Sequence, residues 1–205
     1  MMLADFSAVL FDMDGTLVDT EPLWHQAEIS VFADHGIPWS VEQALGLTGL
    51  NMPAVATFMQ DRGVALPAPQ IIEALAARVL EGMRSHVRTH EDVVAVLSRA
   101  RELQLATALV TMSPRTVARA ALARLPEGSF DLVITAEDVT NGKPHPEPYL
   151  LAAERLGRRP ASCLVIEDSR YGIAAGLAAG CTVLSVGPLA GQIAEAPALS
   201  AGLTL

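Results

Sequence analysis

Asp12 and Asp14 stand one residue apart in Phe11-Asp-Met-Asp-Gly-Thr-Leu17, directly after an apolar run. A second acidic pair, Glu167-Asp168, follows another such run, Cys163-Leu-Val-Ile166. Carboxylates this close cannot all enter a core unpartnered, because a buried unpaired charge is costly. If the two pairs meet, a hard divalent cation relieves their repulsion, and oxygen ligands with retained waters suit Mg²⁺. Each pair alone has a plainer reading. Asp12 and Asp14 make a turn cap before Gly15, and Glu167-Asp168 make the acidic start of a helix. Two such pairs, both at strand ends, favour a site.

Lys143 is the only lysine; the other 13 of the 14 basic side chains are Arg. It lies in Asn141-Gly-Lys-Pro-His-Pro146, a rigid turn between a strand and a helix. An ammonium is a compact point charge that bridges anions in a pocket too tight for a planar guanidinium. A single surface lysine is the plainer alternative. Thr111 ends a further apolar run, and its hydroxyl with the free N–H groups around Met112 offers an anion site. A simple helix cap, which Ser113 would serve equally well, competes with that reading. Gly15, with the N–H groups of Met13 and Asp14, offers a similar nest. His25, His35, His86, His90 and His145 show no metal-ligand spacing, and no glycine-rich nucleotide loop is present.

These residues need elements to position them. Near-continuous apolar runs at 8–11, 106–110, 132–134, 163–166 and 182–186 predict strands covered on both faces, as in a parallel sheet. Helix-like stretches at 91–103, 114–124, 146–156 and 169–179 alternate with them. That alternation predicts a doubly wound, Rossmann-like α/β fold, with ligands beyond the carboxyl ends of the strands. The interval after the first strand reads as helices at 22–35, 41–45, 53–62 and 69–84, punctuated by Pro and Gly. The expected organisation is an α/β catalytic core, 1–18 and 87–205, with a small all-helical cap, 19–86, inserted after the first strand. No final helix is expected before the end at Leu203-Thr-Leu205.

Composition narrows the function classes. A net charge of −9 argues against nucleic acid as a partner. Residues 1–61 hold nine acids and no Lys or Arg, which removes the basic region of a secretory signal. The uncharged run 171–194 contains five glycines and Pro188, and reads as a helix turning into a buried strand rather than a membrane span. Cys163 and Cys181 both sit in apolar runs, as buried thiols of a reducing compartment do. A soluble cytoplasmic protein is expected.

Asp12-Met-Asp-Gly-Thr16, Thr111, Gly142-Lys143-Pro144 and Ile166-Glu-Asp-Ser169 with Gly172, in that order, resemble the haloacid dehalogenase-like superfamily. Asp19-Thr-Glu-Pro-Leu-Trp24 is similar to its β-phosphoglucomutase-like, sugar-phosphate phosphatase subgroup. The resemblance implies that Asp12 is a nucleophile forming an aspartyl-phosphate and that Asp14 is the general acid and base, positioned by Thr16. It implies that Thr111, Met112, Gly15 and Lys143 bind the phosphoryl group and that Trp24 contributes to substrate binding. Mg²⁺ is implied on Asp12, the backbone carbonyl of Asp14 and Asp168, with Glu167 as a positioning group behind them or a further ligand. The implied activity is a Mg²⁺-dependent phosphomonoester hydrolase acting, as a monomer, on a small phosphorylated metabolite such as a sugar phosphate. A phosphomutase of the β-phosphoglucomutase type is the alternative. Mutases of the family carry a cap Arg where this chain has Met52 and a cap His where it has Trp24, which favours the hydrolase. Hinges for cap movement are expected near 17–20 and 85–89.

Overall fold

The computed structural model describes residues 1–85 and 87–205; His86 lies outside the described residues. Five strands, β1 (Ala8–Phe11), β2 (Ala106–Val110), β3 (Leu132–Ile134), β4 (Cys163–Glu167) and β5 (Thr182–Ser185), form one parallel sheet in the order β3-β2-β1-β4-β5. Their apolar runs do not alternate because both faces are buried. Val9, Phe11, Leu109, Leu164, Ile166 and Leu184 enter one apolar cluster with α5 (Glu91–Glu102) and α6 (Arg115–Leu122). The intervening Leu10, Ala108, Val110, Val165 and Val183 enter the other, with α7 (Glu147–Arg155) and α8 (Arg170–Ala178). Strand and helix ends lie within two residues of the positions expected from the sequence. One expectation fails: a single-turn helix, α9 (Leu199–Gly202), does follow β5, held by its buried Leu199.

Between β1 and α5 the chain makes α1 (Glu21–Asp34), α2 (Val41–Leu45), α3 (Met52–Asp61) and α4 (Ala68–Met83). Local chemistry sets their starts. Pro22 occupies the first turn of α1, where its missing N–H is no loss. Ser40 and Gln43 form a reciprocal capping box on α2, and the Asn51 side chain caps α3 through the Ala54 amide at 3.0 Å. Helix α4 packs against α1, α3 and α6, so the apolar faces of the insertion join the first sheet cluster. The two connections to the sheet are paired with each other: the Asp19 amide donates to the Arg88 carbonyl (2.9 Å) and the His90 amide to that of Leu17 (3.0 Å). No helix among the described residues is long and apolar enough to cross a membrane.

Helix α8 lies so close to the sheet that glycine is required at one point. A Cβ on Gly176 would stand 2.8 Å from Val183 Cγ2 and 3.3 Å from Val165 Cγ1. Alanine favours a helix over glycine by about 1 kcal/mol, but overpacking a core costs about 1–3 kcal/mol. Gly176→Ala is therefore expected to lose about 0–2 kcal/mol in denaturant unfolding; a clear gain would place α8 further from the sheet.

Candidate active site

Register carries the acids to one point. Phe11, the last residue of β1, pairs with Leu109 on one side and Ile166 on the other, so Asp12 emerges between the ends of β2 and β4. Lys143 arrives there from the β3–α7 connection. Its Nζ donates to Asp12 Oδ1 (2.6 Å), Glu167 Oε1 (2.7 Å) and the Val110 carbonyl (2.9 Å). Three acceptors match the three protons of an ammonium, and Lys143 is only 5% exposed. Glu167 is itself saturated. Oε1 also accepts from Tyr149 Oη (3.0 Å), and Oε2 accepts from the Asp168 and Ser169 amides and the Ser169 hydroxyl.

Asp12, Glu167 and Asp168 each place a carboxylate oxygen within 4.8 Å of the others. Burial, reinforced by the Glu167 charge, raises the Asp12 pKa against the pull of Lys143. Burial with the Asp12 and Glu167 charges raises that of Asp168. Burial alone would lower the Lys143 pKa, but the two carboxylates outweigh it and hold it above its ordinary value. Three buried acids against one ammonium leave an excess of negative charge. This donor set fits a hard divalent cation, with Asp168 Oδ2 uncommitted and Asp12 Oδ1 keeping a second lone pair beyond its bond to Lys143. The loop is shaped around Asp168: Gly15 has φ +77°, and a Cβ there would lie 2.2 Å from Asp168 Oδ2.

The Asp14 carboxylate is not part of this trio. It accepts from Trp24 Nε1 (3.0 Å) and the Thr20 hydroxyl on one oxygen, and from the Ser113 (2.6 Å) and Thr111 (3.2 Å) hydroxyls on the other. Several expectations change here. Thr16 does not position Asp14; its hydroxyl donates to Asp168 Oδ1 at 2.8 Å, because the turn after Asp14 points it toward β4. The plainer alternative for Ser113, a cap on α6, is not what it does: the helix starts after Pro114, and its Arg115 amide donates to the Glu137 carboxylate. The Gly15 amide is taken by the Val18 carbonyl, so a phosphate nest falls to the Met13 and Asp14 amides. These, and that of Met112, have no backbone or side-chain partner among the described residues.

Asp12, Asp14, Trp24, Thr111, Met112, Lys143 and Asp168 all line one crevice between the strand ends and the helical insertion. No arginine among the described residues lines it. Sequence reasoning missed Thr20, Tyr149 and Glu28. The last is legible in hindsight as an acid one helical turn beyond Trp24, on the same face of α1.

Comparison with known proteins gives a consistent result. A model of the haloacid dehalogenase-like hydrolases matches residues 6–180. Over 188 residues the chain is 31% identical to fructose-1-phosphate phosphatase YqaB of Escherichia coli (strain K12), spanning 90% of this chain and 98% of that protein. It is 35% identical over 181 residues to hexitol phosphatase A of the same organism, spanning 86% and 81%. Its fold matches the crystal structure of CbbY from Rhodobacter sphaeroides in complex with phosphate, with a TM-score of 0.78, 25% identity and coverage of 88% and 85%.

Glu28 allows a direct check on the electrostatics of the crevice. Burial pushes its pKa up from 4.5 to about 8. The folded state then binds more protons than the unfolded state between those values, so stability falls as pH rises through that window. Relative to Glu28→Gln, which cannot titrate, the wild type should lose roughly 1 kcal/mol per pH unit there in denaturant unfolding. Parallel curves would contradict a buried carboxyl.

Proposed function

The chain belongs to the haloacid dehalogenase-like hydrolase family, and we propose that it is a Mg²⁺-dependent phosphomonoesterase acting on a small phosphorylated sugar or polyol. The observation that carries the mechanism is the Lys143 bridge. With Asp12 Oδ1 bonded to Nζ, Oδ2 is the oxygen left to attack phosphorus. Asp14 must first shed one of its four donors and take up a proton; the Oδ2–P bond then forms as the ester P–O bond breaks, and Asp14 gives that proton to the leaving alkoxide. Water then attacks the aspartyl-phosphate, Asp14 takes the proton, and Asp12 departs as a carboxylate. The Met13, Asp14 and Met112 amides hold the phosphoryl oxygens, with Lys143 as the adjacent positive charge, and the Thr111 hydroxyl joins them by turning away from Asp14. Mg²⁺, held by Asp12, Asp168 and the Asp14 carbonyl with Glu167 behind, would neutralise charge on the transferring group.

The named substrates of the relatives, fructose 1-phosphate and hexitol phosphate, support a sugar or polyol. The lining of the crevice supports hydrolysis over mutase chemistry: Met52 and Glu28 are part of it and no arginine among the described residues is, so a second phosphate would find no guanidinium there. Residues 19–86 act as a cap over a core of 1–18 and 87–205, swinging on the paired connections at 17–20 and 85–89, of which His86 lies outside the described residues. Two buried free thiols suit the cytoplasm.

Phosphate release with Mg²⁺ across a panel of sugar and polyol phosphates tests the reading. Activity should vanish on chelation and return with Mg²⁺. Asp12→Asn should lose about 10⁴-fold or more in kcat, and Lys143→Arg about 100-fold or more, because a guanidinium does not fit three acceptors in this pocket. Isomer formation without release from any substrate would overturn it.

A further inference from the structure

We propose that Glu28 is the specificity residue that hydrogen-bonds a substrate hydroxyl at the end remote from the phosphate, which makes the substrate an extended polyol. This rests on the phosphatase reading above and deepens it. Glu28 is 3% exposed, yet its carboxylate has no hydrogen-bond partner among the described residues, and Oε2 is wholly cut off from solvent. A buried carboxyl without a partner is costly, and the residues of α1 around it supply none. It does line the crevice.

Position gives the length of the ligand. Glu21, Trp24, His25 and Glu28 fall on one face of α1 and all line the crevice. The Trp24 indole is bonded to Asp14, which anchors this face beside the group that protonates the leaving oxygen. Glu28 lies one turn further on, about 6 Å along the axis, the reach of roughly five or six carbon atoms. Leu47, Met52 and Val55 line the same crevice, which gives a carbon chain apolar contacts while its terminal polar group meets a carboxyl. Because burial keeps Glu28 protonated near neutral pH, it offers one donor and one acceptor, the complement of a hydroxyl.

Two probes of equal length separate hydroxyl recognition from chain burial: the polyol phosphate of six carbons that the wild type turns over best, and n-hexyl phosphate. The ratio of their kcat/KM values is the readout. In Glu28→Leu it should fall by about 30-fold or more, mainly through KM of the polyol. Glu28→Gln, which keeps a donor and an acceptor, should stay within about 5-fold of the wild type. Glu28→Leu should melt no lower than the wild type, since it removes an unpartnered buried carboxyl. An unchanged ratio in Glu28→Leu, including equal loss on both probes, overturns the proposal. So does a fall in Glu28→Gln as deep as in Glu28→Leu, which would mean that a charge and not a hydroxyl is read. Wild-type protein that releases no phosphate from either probe, or from the wider panel, instead defeats the phosphatase reading.

Discussion

The site depends on one ammonium held between two carboxylates. Lys143 Nζ stands 2.6 Å from Asp12 and 2.7 Å from Glu167, at the end of a central strand that is buried on every side. Without that cation, three acids within 4.8 Å of one another would have to protonate or move apart. The rest of the molecule works to keep this arrangement fixed. Tyr149, buried in the cluster between α7 and the sheet, ties Glu167 from one side, and the Asp168 and Ser169 amides tie it from the other. Glu167 is thus a fixed counter-charge, Lys143 is aimed by it, and Asp12 is presented with one oxygen free.

A parallel sheet with β1 in its middle makes this possible. The chain leaves β1 toward β2 and β3, then crosses back to β4 and β5, so the crevice opens at the point where the winding reverses. Close approach is needed as well as convergence. A Cβ on Gly172 would fall 1.5 Å from Glu167 Oε1, so the first turn of α8 and the Glu167 carboxylate occupy nearly the same space. The helical insertion completes the other wall. Through Thr20 and Trp24 it touches the Asp14 carboxylate directly, linking the proposed proton donor to the part of the chain proposed to choose the substrate.

Much of this was legible in the residues alone. Doubly buried strands write themselves as unbroken apolar runs, so all five could be placed to within one residue, and acids that end such runs had to converge. A lone lysine in an arginine-rich chain marked the cation. The partners were not legible. Thr16 could be placed beside Asp14 but not aimed at Asp168, because that choice depends on the left-handed turn at Gly15. Ser113 read as a helix cap, since nothing local shows that Asp14, 99 residues earlier, claims its hydroxyl. Glu28 read as one more acid on a helix. Its isolation is a property of how α1 packs, and periodicity does not record which polar group has been left without a partner.

The proposed chemistry requires that Lys143 leave Asp12 with one oxygen free to take the phosphoryl group. Trapping tests it most directly. The enzyme is quenched during turnover, reduced with borohydride and mapped by mass spectrometry. Conversion of the Asp12 side chain to the alcohol, and of no other carboxylate, is the predicted result. Modification at a different residue, or none while phosphate is being released, would contradict it.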